Sequence, residues 1–132
     1  MYMLDTNALI ILLYGEVAEG KLSEEAIDIL KTADKLYLSV VSLWEIAIKT
    51  KLGKLAIKNS ITEIEKRCFD SGIEIIPIKA THMEKTISMP LLADHRDPFD
   101  RLIIATAITE EMILLSTDEK IRRKEYGAQV IW

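Results

Sequence analysis

Apolar residues along the chain follow two alternating patterns. Short runs rich in Leu, Ile, Val and Tyr predict buried β-strands, and longer segments with apolar residues three or four positions apart predict helices. The predicted strands are residues 1–4, 36–41, 73–78, 112–116 and 128–132. The predicted helices are residues 61–68, 81–88 and 98–109, with others beginning near Ala8, Ser23 and Ser42 and a short one after Thr117. This alternation predicts a mostly parallel sheet of about five strands covered by helices on both faces, because parallel neighbours need a crossover that is usually helical.

Length and composition favour one globular domain over residues 1–132. The chain has 132 residues, of which 49% are hydrophobic and 29% charged, enough to bury a core without disulfides. A loop is expected between Gly15 and Gly20, and the single cysteine, Cys68, is expected to be an inert buried thiol. The first apolar run, residues 8–14, suits neither a signal peptide nor a membrane span. We therefore expect a cytoplasmic protein with no membrane partner.

The chain carries a net charge of −4, which argues against binding nucleic acid through a broadly basic surface. A local basic rim is still compatible with this balance. Lys49, Lys51 and Lys54 crowd one segment, while Arg96 and Arg101 flank an acidic one. These side chains are candidates for guiding a phosphate backbone, and a solvated surface is the alternative interpretation.

The most informative segment runs Asp97-Pro98-Phe99-Asp100 and leads into an apolar helix. Proline suits the first helical position, which places Asp97 at the N-cap and Asp100 at the third helical residue. Both carboxylates therefore lie near one helix N-terminus. Capping alone would explain this pair, so its significance depends on whether other acids come to the same place.

Other acids follow predicted strands. Asp5 follows the first strand, and Asp118 follows the fourth, where either could be a helix cap. Glu45 follows the second strand, where it completes a capping box with Ser42 or pairs with Lys49 four residues later. Because ligand sites in parallel sheets lie beyond the carboxyl ends of the strands, these acids are expected to converge there with Asp100.

Converging carboxylates repel one another unless a cation holds them, and helix dipoles are too weak to do so. Carboxylate oxygens select Mg²⁺ or Mn²⁺ over Zn²⁺, and His95 is the single nitrogen ligand nearby. One or two such ions could activate a water molecule against a phosphodiester. The sequence therefore favours a metal-dependent hydrolase.

The residues that carry this inference also carry a family resemblance, which covers essentially the whole chain. The matching segments are Leu4-Asp5-Thr6-Asn7, Ser42-Leu43-Trp44-Glu45 with Lys49, the run from Arg96 to Ala105, and Ser116-Thr117-Asp118. In this order and spacing they resemble the PIN-domain family, and within it the VapC-like toxins of toxin-antitoxin modules. The Asp-Pro-Phe-Asp-Arg run is the most specific part.

The resemblance implies a three-layer α/β/α sandwich and an endoribonuclease that uses Mg²⁺ or Mn²⁺ and leaves a 5′-phosphate and a 3′-hydroxyl. Its implied metal-binding quartet consists of Asp5, Glu45, Asp100 and Asp118. It makes Asp97 an adjacent supporting acid and makes Asn7 and Thr117 polar supports, while Lys49, Arg96 and Arg101 are candidates for contacting RNA. The implied partners are an RNA substrate, a cognate antitoxin and a second copy of the chain in a homodimer.

Three alternatives remain at the level of sequence. A haloacid dehalogenase-type phosphohydrolase would have an acid two residues after Asp5, where this chain has Asn7, and a receiver domain would have its phosphoacceptor Asp well inside the chain. A catalytically silent PIN-like binding module would use the same acids only as helix caps. Two further residues are interpreted structurally: Trp44 as a packed side chain, and His82 as a surface or capping residue.

Overall fold

The computed structural model describes residues 1–15 and 20–131. Residues 16–19, within the loop expected between Gly15 and Gly20, and Trp132, at the end of the last predicted strand, lie outside the described residues. In chain order the elements are β1 (Tyr2–Leu4), α1 (Thr6–Tyr14), α2 (Glu24–Thr32), β2 (Leu36–Ser39), α3 (Val40–Lys51), α4 (Ile61–Asp70), β3 (Ile73–Ile76), α5 (Ala80–Ser88), α6 (Pro98–Thr109), β4 (Ile113–Leu115), a 3₁₀ helix (Lys124–Tyr126) and β5 (Val130–Ile131).

The five strands form one sheet in the order β3-β2-β1-β4-β5, and every neighbouring pair is parallel. On β1, Leu4 is aligned with Leu38 of β2 and Leu115 of β4. The predicted parallel α/β sheet is therefore confirmed. The chain builds β2 and β3 on one side of β1 and then places β4 and β5 on the other.

Helices cover both faces of the sheet because strand side chains alternate between the faces. Leu4 and Leu115 belong to one buried cluster, which includes residues of α1 to α4. Met3 and Leu114, one position earlier, belong to a second cluster, which includes the buried face of α6. Helix α5 packs against α6. This arrangement is the expected three-layer α/β/α sandwich.

The predicted boundary between the second strand and the helix that follows it was wrong. The second strand ends at Ser39, whose Oγ accepts from Val41 N at 3.2 Å and caps α3. Ser42 and Glu45 therefore lie inside α3, and the capping box that their spacing suggested is wrong. The β-branched pair at positions 40 and 41 suits a strand locally, but the cap formed by Ser39 begins the helix at Val40, two residues earlier than the predicted start at Ser42.

Over the described residues after Thr117, which end at Ile131, no α-helix begins. Residues 119–122 form turns and a 3₁₀ helix follows, which ends at Gly127 with φ of 76°. Instead of capping a helix, Asp118 accepts from Lys120 N at 2.8 Å through Oδ1. This short side-chain hydrogen bond closes a turn of the kind that Asp favours.

Two side-chain interpretations also change. Trp44 is 62% exposed, so the expectation that it packs in the core is wrong. His82 caps α5 as expected, its Nδ1 accepting from Lys79 N at 3.1 Å, yet it is fully buried rather than on the surface. The thiol of Cys68 is buried, as predicted. Among residues 1–15 and 20–131, no helix is both long and apolar enough to cross a membrane.

Candidate active site

The candidate active site lies where the order of the strands changes direction. The segments after β1 and β4 leave neighbouring strands toward different sides, and such a switch point opens a crevice beyond the carboxyl ends of the strands. Asp5 N donates to Leu115 O at 3.0 Å, which holds the ends of the two strands together. The first predicted ligand is therefore placed in the crevice by the sheet itself.

Asp5 is the N-cap of α1 and is 97% buried, with 3% of its surface exposed. Its Oδ1 accepts from Ala8 N at 2.7 Å. The pKa of Asp5 is raised to about 7, mainly by burial and to a smaller extent by the charges of Asp100 and Asp118, while hydrogen bonds from Ser116 and Ala8 favour the charged form. The hydrogen bond of the helix cap thus lowers the pKa of Asp5, whereas the neighbouring acids raise it.

Glu45 reaches the site from inside α3 and is also buried. Thr6 donates from Oγ1 to Glu45 Oε1 at 2.6 Å, and Lys49 donates from Nζ to Oε2 at 2.5 Å. Burial opposes the charge of Lys49, but the hydrogen bond and charge of Glu45 outweigh it and raise the pKa of the ammonium. The predicted pairing of Glu45 with Lys49 is therefore confirmed, and it neutralises one acid of the site.

Asp97 and Asp100 occupy the helix positions that the sequence predicts. Asp97 caps α6 by accepting from Phe99 N at 2.8 Å and Asp100 N at 3.2 Å, and Pro98 is the first helical residue. Burial raises the pKa of Asp100 to about 6, while a hydrogen bond from His95 lowers it and the charges of Asp97 and Glu45 raise it. The capping function predicted for Asp97 is thus confirmed, and its charge is felt by Asp100.

Asp118 lies in the loop after β4, where its backbone N donates to Ser116 Oγ at 3.1 Å. Potential ligand atoms of Asp118, Asp100 and His95 all lie within 4.8 Å of one another. Nearby, Asn7 donates from Nδ2 to Thr117 Oγ1 at 2.9 Å, which ties the start of α1 to this loop. Asn7 and Thr117, the two predicted polar supports, are therefore hydrogen-bonded to each other.

His95 is the main site residue for which the sequence predicted no role, although His95 was expected to be the nitrogen nearest the acids. Its Nε2 lies 2.9 Å from Asp100 Oδ2, and its Nδ1 lies 2.7 Å from the hydroxyl of Tyr126. The sequence offered one signal, the position of His95 within the acidic segment. Thr6 and Ser116 lie within the segments that carry the resemblance but were given no role, and Tyr126 carried no signal, because it is recognisable only by its contacts across the fold.

These side chains surround an open cavity of about 530 Å³. Its lining includes all four acids of the predicted quartet and Asp97, with Asn7, Lys49, Lys54 and Arg96 from the other predicted sets and with Lys120 and His95. Thr117 and Lys51 are not part of the lining. Arg101 is also elsewhere, since its guanidinium donates to Pro90 O at 2.7 Å and Thr86 O at 2.9 Å. The structure thus brings Lys49, Lys54 and Arg96 to the acids but leaves Lys51 and Arg101 outside.

The donor chemistry of the cavity fits a hard divalent cation. Its acids raise one another's pKa, as the effects on Asp5 and Asp100 show, so a nearby positive charge would be needed to keep them all ionised. Lys49 compensates Glu45 and Arg123 pairs with Asp94, whereas Asp5, Asp97, Asp100 and Asp118 have no comparably close lysine or arginine in the described contacts. Carboxylate oxygens in this number favour Mg²⁺ or Mn²⁺.

Comparison with known proteins supplies independent information. The family model for the PIN domain matches residues 2–125. A search of curated proteins found no match for the chain.

Several solved structures share the fold at low sequence identity. A toxin-antitoxin complex from Klebsiella pneumoniae is 22% identical, with a TM-score of 0.64 and coverage of 100% of this chain and 97% of that one. VapBC-1 from nontypeable Haemophilus influenzae is 22% identical, with a TM-score of 0.65 and coverage of 98% and 95%. VapBC2 from Rickettsia felis, bound to a DNA fragment from its promoter, is 18% identical, with a TM-score of 0.65 and coverage of 98% and 96%.

The fold and the site together define a class. A parallel α/β/α sandwich whose carboxylates converge at the switch point of the sheet is typical of a hydrolase that works with divalent metal. With the match over residues 2–125, the chain belongs to the PIN domain family, whose members are generally nucleases that use a divalent metal.

Proposed function

We propose that the chain is a Mg²⁺- or Mn²⁺-dependent endoribonuclease and the toxin component of a toxin-antitoxin module, formed by a single domain over residues 1–132. One observation carries the proposal: four carboxylates from four separate segments line one cavity at the carboxyl edge of a parallel sheet. Capping could explain Asp5 or Asp97 individually. It cannot explain Glu45, which lies buried inside a helix and points its carboxylate to the same cavity.

In this proposal, Asp5, Glu45, Asp100 and Asp118 hold one or two ions. When bound, such an ion would lower the pKa of a water molecule and stabilise the charge that develops on the leaving oxygen. The protein's own contribution is to hold the carboxylates in place. Thr6 and Lys49 fix Glu45, the backbone of Ala8 fixes Asp5, and the loop after β4 fixes Asp118.

Positive side chains at the cavity support a nucleic-acid substrate despite the net charge of −4. Lys54, Arg96 and Lys120 line the cavity together with Lys49. Such a rim attracts a phosphate backbone, while the acids would repel it without a bound cation. RNA hydrolysis that leaves a 5′-phosphate and a 3′-hydroxyl is the reaction we assign to the site.

A protein partner is also part of the proposal. The structures from Klebsiella pneumoniae, Haemophilus influenzae and Rickettsia felis are toxin-antitoxin or VapBC complexes by name, and this supports a cognate antitoxin for this chain. We extend the proposal to a homodimer, to be measured by light scattering on the purified chain. A monomeric mass at micromolar concentration would remove that part alone.

The proposal is tested with protein freed of any co-purifying partner. Single-stranded RNA is incubated with Mg²⁺ or Mn²⁺, with and without EDTA, and the ends of the fragments are mapped by sequencing. Cleavage that EDTA stops, with 5′-phosphate ends, is the expected result. Asp5→Asn and Asp100→Asn should each slow cleavage more than about 100-fold, because losing a ligand costs more than losing a group that only supports one.

Asp28→Asn is the matched control, because Asp28 is an exposed acid of α2 that does not line the cavity. It should cleave as the wild type does. Unchanged cleavage by Asp5→Asn or Asp100→Asn would refute the metal-binding quartet. A wild-type protein that neither cleaves RNA nor binds Mn²⁺ in titration calorimetry would instead be a binding module.

A further inference from the structure

His95 lies between a proposed metal ligand and a buried tyrosine. Only 4% of His95 and 4% of Tyr126 is exposed, and their rings meet edge to face with centroids 5.5 Å apart. One ring nitrogen of His95 lies 2.9 Å from Asp100 Oδ2, and the other lies 2.7 Å from the hydroxyl of Tyr126. Both nitrogens are therefore engaged, one on each side of the ring.

The chemistry of the two partners assigns the proton positions. An ionised carboxylate can only accept a hydrogen bond, so the Nε2 that faces Asp100 must carry a proton. In a neutral imidazole the Nδ1 is then an acceptor, and the hydroxyl of Tyr126 is the donor that it faces. The alternative acceptor for this hydroxyl, the carbonyl oxygen of His95, lies farther away at 3.4 Å.

A second contact fastens the same two segments. Arg123, three residues before Tyr126, makes a bidentate ion pair with Asp94, the neighbour of His95. The segment around the 3₁₀ helix is thereby joined to the loop before α6 at two points. The orientation of His95 toward Asp100 is consequently set from outside the metal-binding quartet.

We propose that His95 and Tyr126 form a positioning pair in which Tyr126 fixes the Nε2-protonated form of His95, and His95 holds the Asp100 carboxylate in its cation-binding orientation. The inference rests on the proposed function, since it assumes that Asp100 binds the cation. It adds that the C-terminal segment, through Tyr126, sets the affinity of the site for that cation. A group that orients a metal ligand by hydrogen bonding typically changes metal affinity or activity by 10- to 100-fold.

Three variants separate positioning from simple packing. His95→Ala removes the donor to Asp100, whereas His95→Gln can present its Nε2 amide near the position of the imidazole Nε2. Tyr126→Phe keeps the ring and removes only the hydroxyl. His82→Gln is the matched control, because His82 is also buried and hydrogen-bonded to a carboxylate, here Glu110, outside the cavity.

The main readout is the Mn²⁺ dissociation constant, measured by titration calorimetry at neutral pH. We expect His95→Ala to bind Mn²⁺ about 10- to 100-fold more weakly, Tyr126→Phe to show a smaller loss, and His95→Gln to recover most of the affinity. At saturating Mn²⁺, KM for RNA should be unchanged in all three variants. His82→Gln should lose stability but keep the wild-type dissociation constant. Equal affinities for wild type and His95→Ala, or no recovery in His95→Gln, would overturn the proposal.

Two spectroscopic measurements complete the test. In metal-free wild type, ¹⁵N NMR of the imidazoles should show a protonated Nε2 and an unprotonated Nδ1 on His95, and Tyr126→Phe should weaken this preference. If the His95 ring is instead protonated at Nδ1, or at both nitrogens, the proposed positioning pair is refuted, whether or not the protein cleaves RNA. A nitrogen hyperfine coupling from His95 to bound Mn²⁺ would show direct ligation and overturn it too. Absence of Mn²⁺ binding by wild type would refute the proposed function, whereas wild-type binding that His95→Ala leaves unchanged would refute only this inference.

Discussion

Replacing Asp5 by Asn should make the metal-free protein more stable while destroying its proposed activity. Asp5 is 3% exposed, and its pKa is raised to about 7, mainly by burial. The fold therefore holds a carboxylate whose charged form it disfavours. Asn keeps the side-chain oxygen that caps α1 by accepting from Ala8 N, so the substitution removes the charge while retaining the cap.

The magnitude follows from the pKa. Each tenfold change in proton affinity corresponds to about 1.4 kcal/mol, so raising the pKa from its ordinary 3.8 to about 7 disfavours the charged form by roughly 4 kcal/mol. The substitution removes this cost, but an amide NH₂ that is buried without a hydrogen-bond partner destabilises the folded protein by about 1–3 kcal/mol. We therefore expect the free energy of unfolding to rise by about 1–3 kcal/mol at mildly alkaline pH.

The sign of the pH dependence is also fixed. Because folding raises the pKa of Asp5, the contribution of Asp5 to stability is fully present below pH 3.8 and is lost as the pH rises through about 7. Asp100, whose pKa is raised to about 6 mainly by burial, acts in the same direction. The wild type should therefore lose stability across this window, and Asp5→Asn should lose less.

Urea unfolding in EDTA at a series of pH values measures both effects. The difference between wild type and Asp5→Asn reports Asp5 together with its charge interactions with Asp100 and Asp118, because groups outside the site such as Glu110, whose pKa is lowered by the hydrogen bond with His82, contribute equally to both proteins. Asp28→Asn should follow the wild type throughout. Added Mn²⁺ should stabilise the wild type and not Asp5→Asn. A difference that is independent of pH, or an Asp5→Asn protein less stable than wild type at alkaline pH, would refute the reasoning.

Four further variants test particular contacts. Arg96→Ala should make the salt dependence of RNA binding shallower by about 0.7 in the logarithmic slope, as expected for one lost contact to single-stranded RNA; an unchanged slope would remove Arg96 from the interface. Arg101→Ala should leave that slope unchanged but lower the free energy of unfolding by about 1–3 kcal/mol, because the carbonyls of residues 86 and 90 lose their charged donor; a shallower slope would contradict this assignment. Trp44→Ala should cost less than about 1 kcal/mol in urea unfolding because Trp44 is 62% exposed, whereas Ile46→Ala, two residues on and 1% exposed, should cost about 2–5 kcal/mol; similar losses would mean that Trp44 packs after all.

Features with local causes were predictable from the sequence. Helix α6 spans 98–109 as expected, because Asp97, Pro98 and the following apolar residues carry the start signal within a few positions. The alternation of short apolar runs and helical segments likewise determined a parallel sheet between two layers of helices. The acids at the strand ends then had only one edge of the sheet at which to meet.

Local patterns also misled where tertiary contacts outweighed them. Ser42 and Glu45 have the spacing of a capping box, yet α3 begins at Val40. Inside the helix, Ser42 and Glu45 both contact Thr6, which lies 36 and 39 positions away along the chain. A serine followed three residues later by a glutamate can therefore form either a capping box or a buried hydrogen-bond network. Nothing within the segment itself distinguishes these two arrangements.

The sequence by itself determined the parallel α/β sandwich and indicated which acids would meet at one edge of the sheet, since periodicity, caps and strand ends are short-range properties of the chain. Only the tertiary structure decided how those acids are held. The contact between His95 and Tyr126 joins residues 31 positions apart, and the position of Arg101 depends on where α5 packs. Such pairs follow from strand order and helix packing, which bring together side chains that no local pattern relates.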